Sequence, residues 1–354
     1  MRPLRVAQWA TGNVGQAAIR AVLDRPDMEL AGVLVHDPAK AGRDAGEVLG
    51  IGPLGVLTTA DIRAIEDLDA DCVCYAPLPS AMYGDDPGAD LRNILRLLES
   101  GKNVVTTVGY VYPKAYGEAV AGSLERACQR GGVSFHGTGL NPGWQGDLVP
   151  LVMSGLAQRV DHIHVLESSD MSFYPSPEVI FDMMGMGKSP SEFEAGSGRY
   201  ADWLTDLFSE SIHMIADGLG VQLERIARSF DVLVAERPFD VAAGRIEAGG
   251  VAAQRWRWAG MAQGREVIVH ETHWRMHPDL ARDWSEPGGL IRIEGTPRVR
   301  MKLEHDWITE PLAATAMHAI SAIPSVCGAP PGVRTFLDLP LIAGRPDFGL
   351  AVTQ

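Results

Sequence analysis

The sequence has few cysteines, no cluster of basic residues and no long apolar run, and each absence excludes a class of protein. Lys and Arg total 31 against 45 Asp and Glu, a formal net charge of −14, so the basic face of a nucleic-acid binder is missing. No apolar stretch approaches the roughly 18 residues that span a bilayer. No charged-then-apolar leader precedes the first strand-like segment. We therefore expect a cytoplasmic protein that binds neither nucleic acid nor membrane.

Neither the four cysteines nor the histidines have the spacing of a metal or redox site. Cys72 and Cys74 lie two residues apart in a strand-like run, which places both on one sheet face and does not match a CxxC pair. His270 and His273 fall on opposite faces of a predicted strand. We expect buried, unpaired cysteines and no metal.

Strand and helix patterns alternate regularly over the first 140 residues. Each predicted strand is followed by a helical pattern, which indicates right-handed crossovers and a parallel sheet covered on both faces. The fold class predicted for this part is α/β, an N-terminal Rossmann doubly wound parallel sheet. The predicted strands are residues 4–9, 30–35, 56–58, 72–75, 103–107 and 133–137.

The pattern changes after Asn141-Pro142-Gly143. Helices are predicted at 148–156 and 203–219, strands at 160–167, 232–234, 251–258, 266–274, 290–294 and 299–303, and residues 183–187 show no periodicity. This pattern predicts a second, α+β domain with an open mixed or antiparallel sheet. An apolar helix over 311–323, ending at Pro324, follows it. The predicted domains are 1–140 for dinucleotide binding, 141–308 for substrate and dimerisation, and 309–354 as a segment that returns to the first domain.

The first strand runs into a glycine turn, Ala10-Thr11-Gly12-Asn13-Val14-Gly15, and then into an amphipathic helix. This is the local design of a dinucleotide-binding crossover, in which backbone N–H groups at the helix N-terminus hold the pyrophosphate. Ala10 replaces the first glycine of the usual motif, and we expect it to keep the turn with a negative φ. The predicted cofactor contacts here are Thr11, Gly12, Asn13, Val14 and Gly15.

The second strand ends at His36-Asp37, with Lys40 and Arg43 just beyond. An acid at this tip holds the ribose hydroxyls of NAD, whereas nearby cations favour the 2′-phosphate of NADP. Because His36 occupies the tip, we predict NADP, with NAD still possible through Asp37. Solvated loop charges are the alternative interpretation of Lys40 and Arg43.

Further site residues follow the later strands, since open α/β sheets bind ligands at the carboxyl ends of their strands. A tyrosine hydroxyl beyond the fifth strand, or a carboxylate that ends a strand at the cleft, would supply a proton there. Packing for the tyrosine and a surface position for the carboxylate remain open. The candidates are Ala76, Pro77, Thr107 and Asn141 for the cofactor, Tyr110 and Glu167 for catalysis, and Trp144, Gln145, Phe173, Phe181 and Met184 for an apolar substrate.

At five stretches the chain resembles the dihydrodipicolinate reductase-like superfamily, most closely 2,4-diaminopentanoate dehydrogenases and native amine dehydrogenases. The stretches are residues 8–15, 42–47, 101–107, 137–143 and 318–324. The resemblance implies a Rossmann domain, a second α+β domain with an open sheet, dimerisation, and NAD(P)H-linked carbon–nitrogen redox chemistry.

Two segments depart from that resemblance. The His-His segment of dihydrodipicolinate reductases is replaced by residues 167–172, so their substrate is not expected. The amine dehydrogenases carry an amine-activating glutamate after the fifth strand, where this chain has Val108-Gly109-Tyr110. The leading hypothesis is an NAD(P)H-dependent oxidoreductase that interconverts a small, largely apolar ketone and its amine. A carbonyl or imine reductase that uses Tyr110 or water, or a non-catalytic cofactor-binding paralogue, remains open.

Overall fold

A parallel sheet forms the first part of the chain, as predicted, but it has seven strands where six were predicted, because Gly332–Val333 of the C-terminal segment adds one at its edge. The computed structural model describes residues 2–281, 283–284, 287–304 and 311–344. The strand order is β15-β6-β5-β4-β1-β2-β3, so the order reverses between β1 and β4, where ligands bind in such sheets. The strands are β1 Leu4–Trp9, β2 Met28–Leu34, β3 Thr58–Thr59, β4 Cys72–Tyr75, β5 Asn103–Thr106, β6 Ser134–Gly137 and β15 Gly332–Val333.

Helices cover both faces of this sheet, because side chains alternate between its faces along each strand. On one side, Cys72 and Cys74 pack in a cluster with the first and last helices, and on the other, Val73 and Tyr75 pack against α4 and α5. The buried, unpaired state predicted for both cysteines is confirmed. The helices of this region are α1 Asn13–Leu23, α2 Ala45–Leu49, α3 Ile62–Glu66, α4 Ala89–Glu99, α5 Glu118–Gly131 and α9 Pro311–Cys327.

The second region is built on a six-stranded mixed sheet, in the order β14-β13-β7-β12-β11-β8. Only β7 and β12 run parallel; the other neighbours are antiparallel. The strands are β7 Arg159–Asp170, β8 Arg225–Val234, β11 Val251–Ala262, β12 Arg265–Arg275, β13 Gly288–Thr296 and β14 Val299–Leu303, with a separate hairpin of β9 Phe239–Val241 and β10 Gly244–Ile246.

The long helix α8, Gly198–Gly218, lies against one face of the mixed sheet, flanked by α6 Leu148–Ser154 and α7 Pro190–Gly196. Phe208 on α8 packs 4.6 Å from the Trp258 ring, which itself stacks on Trp256. Both tryptophans are fully buried, so aromatic packing fixes how α8 sits on the sheet. The aperiodic segment near residue 183 is preceded by a π-helical turn, Glu178–Met183. No helix among the described residues is long and apolar enough to cross a membrane.

Two local predictions were wrong. Ala10 has φ +74°, not a negative φ, because the glycine turn needs a left-handed residue there even without glycine. The last helix does not end at Pro324 but continues to Cys327. A proline removes only its own N–H, so one further turn still closes, with Gly328 N donating to Pro324 O at 3.1 Å.

Candidate active site

The glycine turn forms a backbone cradle at the N-terminus of α1. A Cβ on Gly15 would lie 2.1 Å from Ala10 O, so only glycine permits this approach of helix and strand. A Cβ on Gly12 would meet nothing within 4 Å, and no side chain caps the helix there. The first N–H groups of α1 are therefore free of a side-chain cap and face open space, as a pyrophosphate site requires.

Gln8, which the sequence interpretation missed, supports this turn from below. Its buried Nε2 donates to Trp9 O at 3.0 Å and to Ala10 O at 3.2 Å. These bonds satisfy the carbonyls around the left-handed Ala10. The only sign of this role in the sequence is a glutamine near the end of an apolar strand, directly before the glycine turn.

Near the tip of β2, Arg43 is exposed and Lys40 is half-buried, while the carboxylate of Asp37 forms a local hydrogen bond. Asp37 Oδ1 accepts a hydrogen bond from Ala39 N at 2.9 Å and so caps the short turn that follows. Lys40 and Arg43 make no ion pair within the described ranges. Burial beside Trp9, 6.4 Å away between ring centroids, lowers the pKa of His36.

Two cavities meet where the carboxyl ends of β4, β5 and β6 face the second domain. The first, about 300 Å³, is a cleft walled by the strand ends and by the loop after β6. Thr107 and Asn141 line it, whereas Ala76 and Pro77 are not among its lining residues, and Ala76 N donates to Trp9 O at 3.2 Å. The second, about 260 Å³, lies deeper in the second domain. The two cavities share Leu140, Asn141, Glu167, Trp203 and Leu207 as wall.

The deeper cavity is lined mainly by apolar and aromatic side chains. Of the predicted substrate residues, Gln145, Phe173 and Met184 line it. Phe181 lies instead beside Gly187 and Gly244, and Trp144 is half-buried outside the lining. Lining residues that the sequence interpretation missed include Met171, Val179, Met183, Tyr200, Trp203, Leu204, Leu207, Phe208 and Trp274.

Glu167 is the one charged side chain lining either cavity within the described ranges. Its Oε2 accepts from Asn141 Nδ2 at 2.5 Å, while Oε1 lies 3.5 Å from both Trp274 Nε1 and Ser169 Oγ. Burial raises the pKa of Glu167, and the hydrogen bond from Asn141 opposes that rise. A carboxyl group in this setting can accept a proton as the carboxylate and donate one as the acid.

Tyr110 does not reach either cavity. Its ring packs on Tyr116 at 5.0 Å between centroids and belongs to the core between the sheet and α4. Burial and nearby acids raise the pKa of its hydroxyl above its usual range. The two predicted catalytic residues are thus not brought together.

A second buried carboxyl, Glu210 on α8, was missed by the sequence interpretation. It accepts hydrogen bonds from Tyr110 N at 3.0 Å, Tyr112 N at 2.7 Å and Tyr116 Oη at 2.8 Å. A Cβ on Gly109 would lie 3.2 Å from Glu210 Oε1. Burial raises the pKa of Glu210 to about 8. The residue ties the loop after β5 to the second domain and is fully buried.

The described histidines do not form a metal centre. His270 bonds Asn141, whereas His273 bonds Glu271 on the opposite face of β12. No group of three or more potential ligands occurs within the described ranges.

Comparison with known proteins identifies the family. The model of the 2,4-diaminopentanoate dehydrogenase C-terminal domain matches residues 146–347, more than half of the chain. The chain belongs to this family. A dihydrodipicolinate reductase N-terminal model matches residues 9–84, the segment that contains the glycine turn. The family membership makes the chain an oxidoreductase that uses a nicotinamide dinucleotide.

Individual relatives agree with this assignment. An amine dehydrogenase of Streptomyces virginiae is 35% identical over 96% of both chains. A 2,4-diaminopentanoate dehydrogenase of Acetoanaerobium sticklandii is 28% identical over 96% of this chain and 94% of that one. The solved structure of an amine dehydrogenase from Mycobacterium smegmatis has the same fold, with a TM-score of 0.78 and 21% identity over 98% of both chains.

Proposed function

We propose that this enzyme interconverts a small, uncharged, largely apolar ketone and its primary amine, with Glu167 as acid and base. The observation that carries the proposal is the position of Glu167 in the wall shared by the cleft and the apolar cavity. It is the only carboxyl group that lines either cavity within the described ranges, so it is the group that can both take a proton from a bound substrate and return one.

The cradle residues Thr11, Gly12, Asn13, Val14 and Gly15 would hold the pyrophosphate of the cofactor. Thr107, Ala76, Pro77 and Asn141 would border its nicotinamide end. A bound nicotinamide supplies the hydride for reduction or accepts it for oxidation. The backbone at the turn fits such a group, because α1 begins without a side-chain cap or an acid in its first turn.

Glu167 then carries out the proton steps. As a carboxylate it takes a proton from ammonium, so that neutral ammonia attacks the ketone carbon and forms the carbinolamine. As the acid it protonates the departing hydroxyl, which leaves as water and yields an iminium that accepts the hydride. Overall, ketone, ammonium, one proton and the reduced cofactor give the alkylammonium, water and the oxidised cofactor. The apolar wall excludes bulk water from the iminium.

The lining of the deeper cavity predicts which substrates fit. No Lys or Arg lines it within the described ranges, so a substrate carboxylate would be buried without a partner. Met171, Met183 and Met184 give the wall an adaptable shape. Uncharged ketones and amines are therefore proposed as substrates, in preference to keto acids and amino acids.

The test is Glu167→Gln, compared with Glu194→Gln at an exposed position on α7. We expect kcat for ammonia-dependent NADPH oxidation to fall by roughly 100-fold or more, because general acid–base catalysis is lost. The Kd of E167Q for NADPH, measured by fluorescence, should stay within twofold of that of the unmodified protein. In the control E194Q, both kcat and this Kd should stay within twofold. Retention of kcat in E167Q would overturn the assignment. Equal NADPH oxidation without ammonia would instead indicate a carbonyl reductase.

We also propose NADP in preference to NAD, and a homodimer. Lys40 and Arg43 provide cations near the tip of β2, where His36 replaces the acid typical of NAD binders, while Asp37 is engaged in its own turn. The edge strand β8 leaves Phe230, Leu233 and Val234 more than one-third exposed. Apolar side chains on an open edge of a sheet favour association with a second copy.

A further inference from the structure

A partly buried chain of hydrogen bonds leads from β12 to the proposed catalytic carboxyl. His270 Nε2 lies 3.0 Å from Asn141 Oδ1, and Asn141 Nδ2 lies 2.5 Å from Glu167 Oε2. The amide has one accepting end and one donating end. Since an ionised Glu167 can only accept, Asn141 Nδ2 must face it, and Asn141 Oδ1 must then accept a hydrogen from His270 Nε2.

His270 is suited to hold a single protonation state. It is 1% exposed and stacks on Phe208 with 4.6 Å between ring centroids. Burial lowers its pKa to about 3, so the ring is neutral at any working pH. Its Nδ1 has no partner within the described ranges, although it is buried. The neutral ring therefore has one hydrogen, and the geometry places that hydrogen on Nε2, toward Asn141.

The backbone at Gly146 closes the space around this chain. A Cβ there would lie 2.4 Å from Asn141 Oδ1, 2.9 Å from Ser211 Oγ and 3.0 Å from His270 Nε2. Only glycine fits, and the contact leaves little room for water beside the His270–Asn141 bond. A hydrogen bond in such a dry, tight setting directs its partners more strongly than an exposed one.

We propose that His270 is a positioning residue, which locks the Asn141 amide so that its N–H end always faces Glu167 Oε2. This inference rests on the proposed function of Glu167. The lock leaves Oε1, with only the 3.5 Å contacts to Trp274 and Ser169, as the oxygen that faces the substrate. It also stabilises the ionised form of Glu167, against the cost of burial. No other charged side chain lines either cavity within the described ranges, so Asn141 is the main polar influence on this carboxyl.

The lock predicts different results for two substitutions of His270. His270→Phe keeps the stack on Phe208 but removes the donor, so the Asn141 amide is free to turn its oxygen toward Glu167 and favour the protonated acid. His270→Gln retains a donor. We expect kcat to fall about tenfold in H270F with KM within twofold, and the limb of the kcat–pH profile assigned to Glu167 to move to higher pH. H270Q restores the profile.

A readout independent of turnover completes the test. Protein labelled with ¹³C at the glutamate side-chain carboxyl carbon is titrated by NMR, and the Glu167 signal is identified by its absence in E167Q. We expect its midpoint to rise in H270F and to stay in place in H270Q. An unmoved midpoint in H270F, or equal shifts in both variants, would overturn the lock. If H270F does not fold, His270→Met replaces it under the same criteria.

The outcomes separate this inference from the function on which it rests. If E167Q keeps its activity, the catalytic role of Glu167 fails whatever the His270 variants do. If E167Q is inactive but the titration midpoint of Glu167 is the same in H270F as in the unmodified protein, only the lock is wrong.

Discussion

At the residue scale, two buried carboxyl groups, Glu167 and Glu210, have different roles. Glu167 and Glu210 both have raised pKa values because of burial, yet their partners differ. Glu167 borders two cavities and has one short hydrogen bond. Glu210 accepts three hydrogen bonds and lines neither of the two cavities. The same residue type thus serves the proposed chemistry in one place and holds a loop in the other.

The raised pKa of Glu210, about 8, predicts a pH-dependent stability. The folded protein binds this proton more tightly than the unfolded chain, where a glutamate titrates near 4.3, so the free energy of unfolding should fall as pH rises from about 5 to 8. Glu210→Gln should flatten this slope, and should also cost roughly 1–3 kcal/mol because its N–H₂ group opposes a backbone N–H. Urea titrations across this pH range measure both effects.

The control for Glu210 is Glu194→Gln, at an exposed position that should leave the slope unchanged. Parallel slopes for E210Q and the unmodified protein would show that the carboxyl does not change its ionisation in this range. They would also contradict the role of burial in raising its pKa.

At the element scale, the glycine turn and the tip of β2 are local structures whose residues are close in sequence. The Rossmann alternation was predicted correctly for that reason, since each strand and each amphipathic helix shows its own period. The left-handed conformation of Ala10 was not predicted. It is stabilised by the hydrogen bond from Gln8 and by the close packing of Gly15, and hydrophobic periodicity does not reveal such contacts.

Cofactor preference is the prediction that belongs to the tip of β2. Lys40→Ala combined with Arg43→Ala should raise the KM for NADPH by roughly tenfold or more, because two cations that favour a 2′-phosphate are lost. The KM for NADH should change less than twofold. Ratios of kcat/KM for the two cofactors measure the effect, with Arg300→Ala on β14 as the matched loss of charge. An enzyme that already prefers NADH before substitution would refute the assignment to NADP.

At the scale of the whole molecule, the two regions meet at the cleft, and each contributes part of its wall. Thr107 and Thr138 come from the Rossmann sheet, whereas Glu167 and Trp203 come from the second region, and together they wall the cleft. The last helix, α9, packs back on α1 and contributes Leu312 and Thr315 to the same cleft. A substrate bound there would lie between the two regions, away from bulk solvent.

The homodimer is a prediction at this scale. Light scattering behind size exclusion should give twice the mass of the chain, because the edge of β8 exposes apolar side chains. Leu233→Asp, which adds a charge on that edge, should shift the mass toward that of one chain at micromolar concentration. Leu57→Asp, at a 66% exposed position in the Rossmann region, is the control. A monomeric unmodified protein would refute the dimer, and a dimeric L233D would exclude this edge as its interface.

The sequence by itself determined the cofactor turn, the order of strands and helices, and the family resemblance, because each depends on residues close together in the chain. It named Glu167 as a catalytic candidate only because the residue ends a predicted strand, and it offered no sign of Glu210. Tertiary structure decided their roles. The fold brings His270 on β12 to Asn141, which follows β6, across 129 residues, and α8 brings Glu210 to Tyr110 across 100. Burial and hydrogen bonding between such distant residues set the chemistry of a carboxyl, and neither is visible in a local pattern.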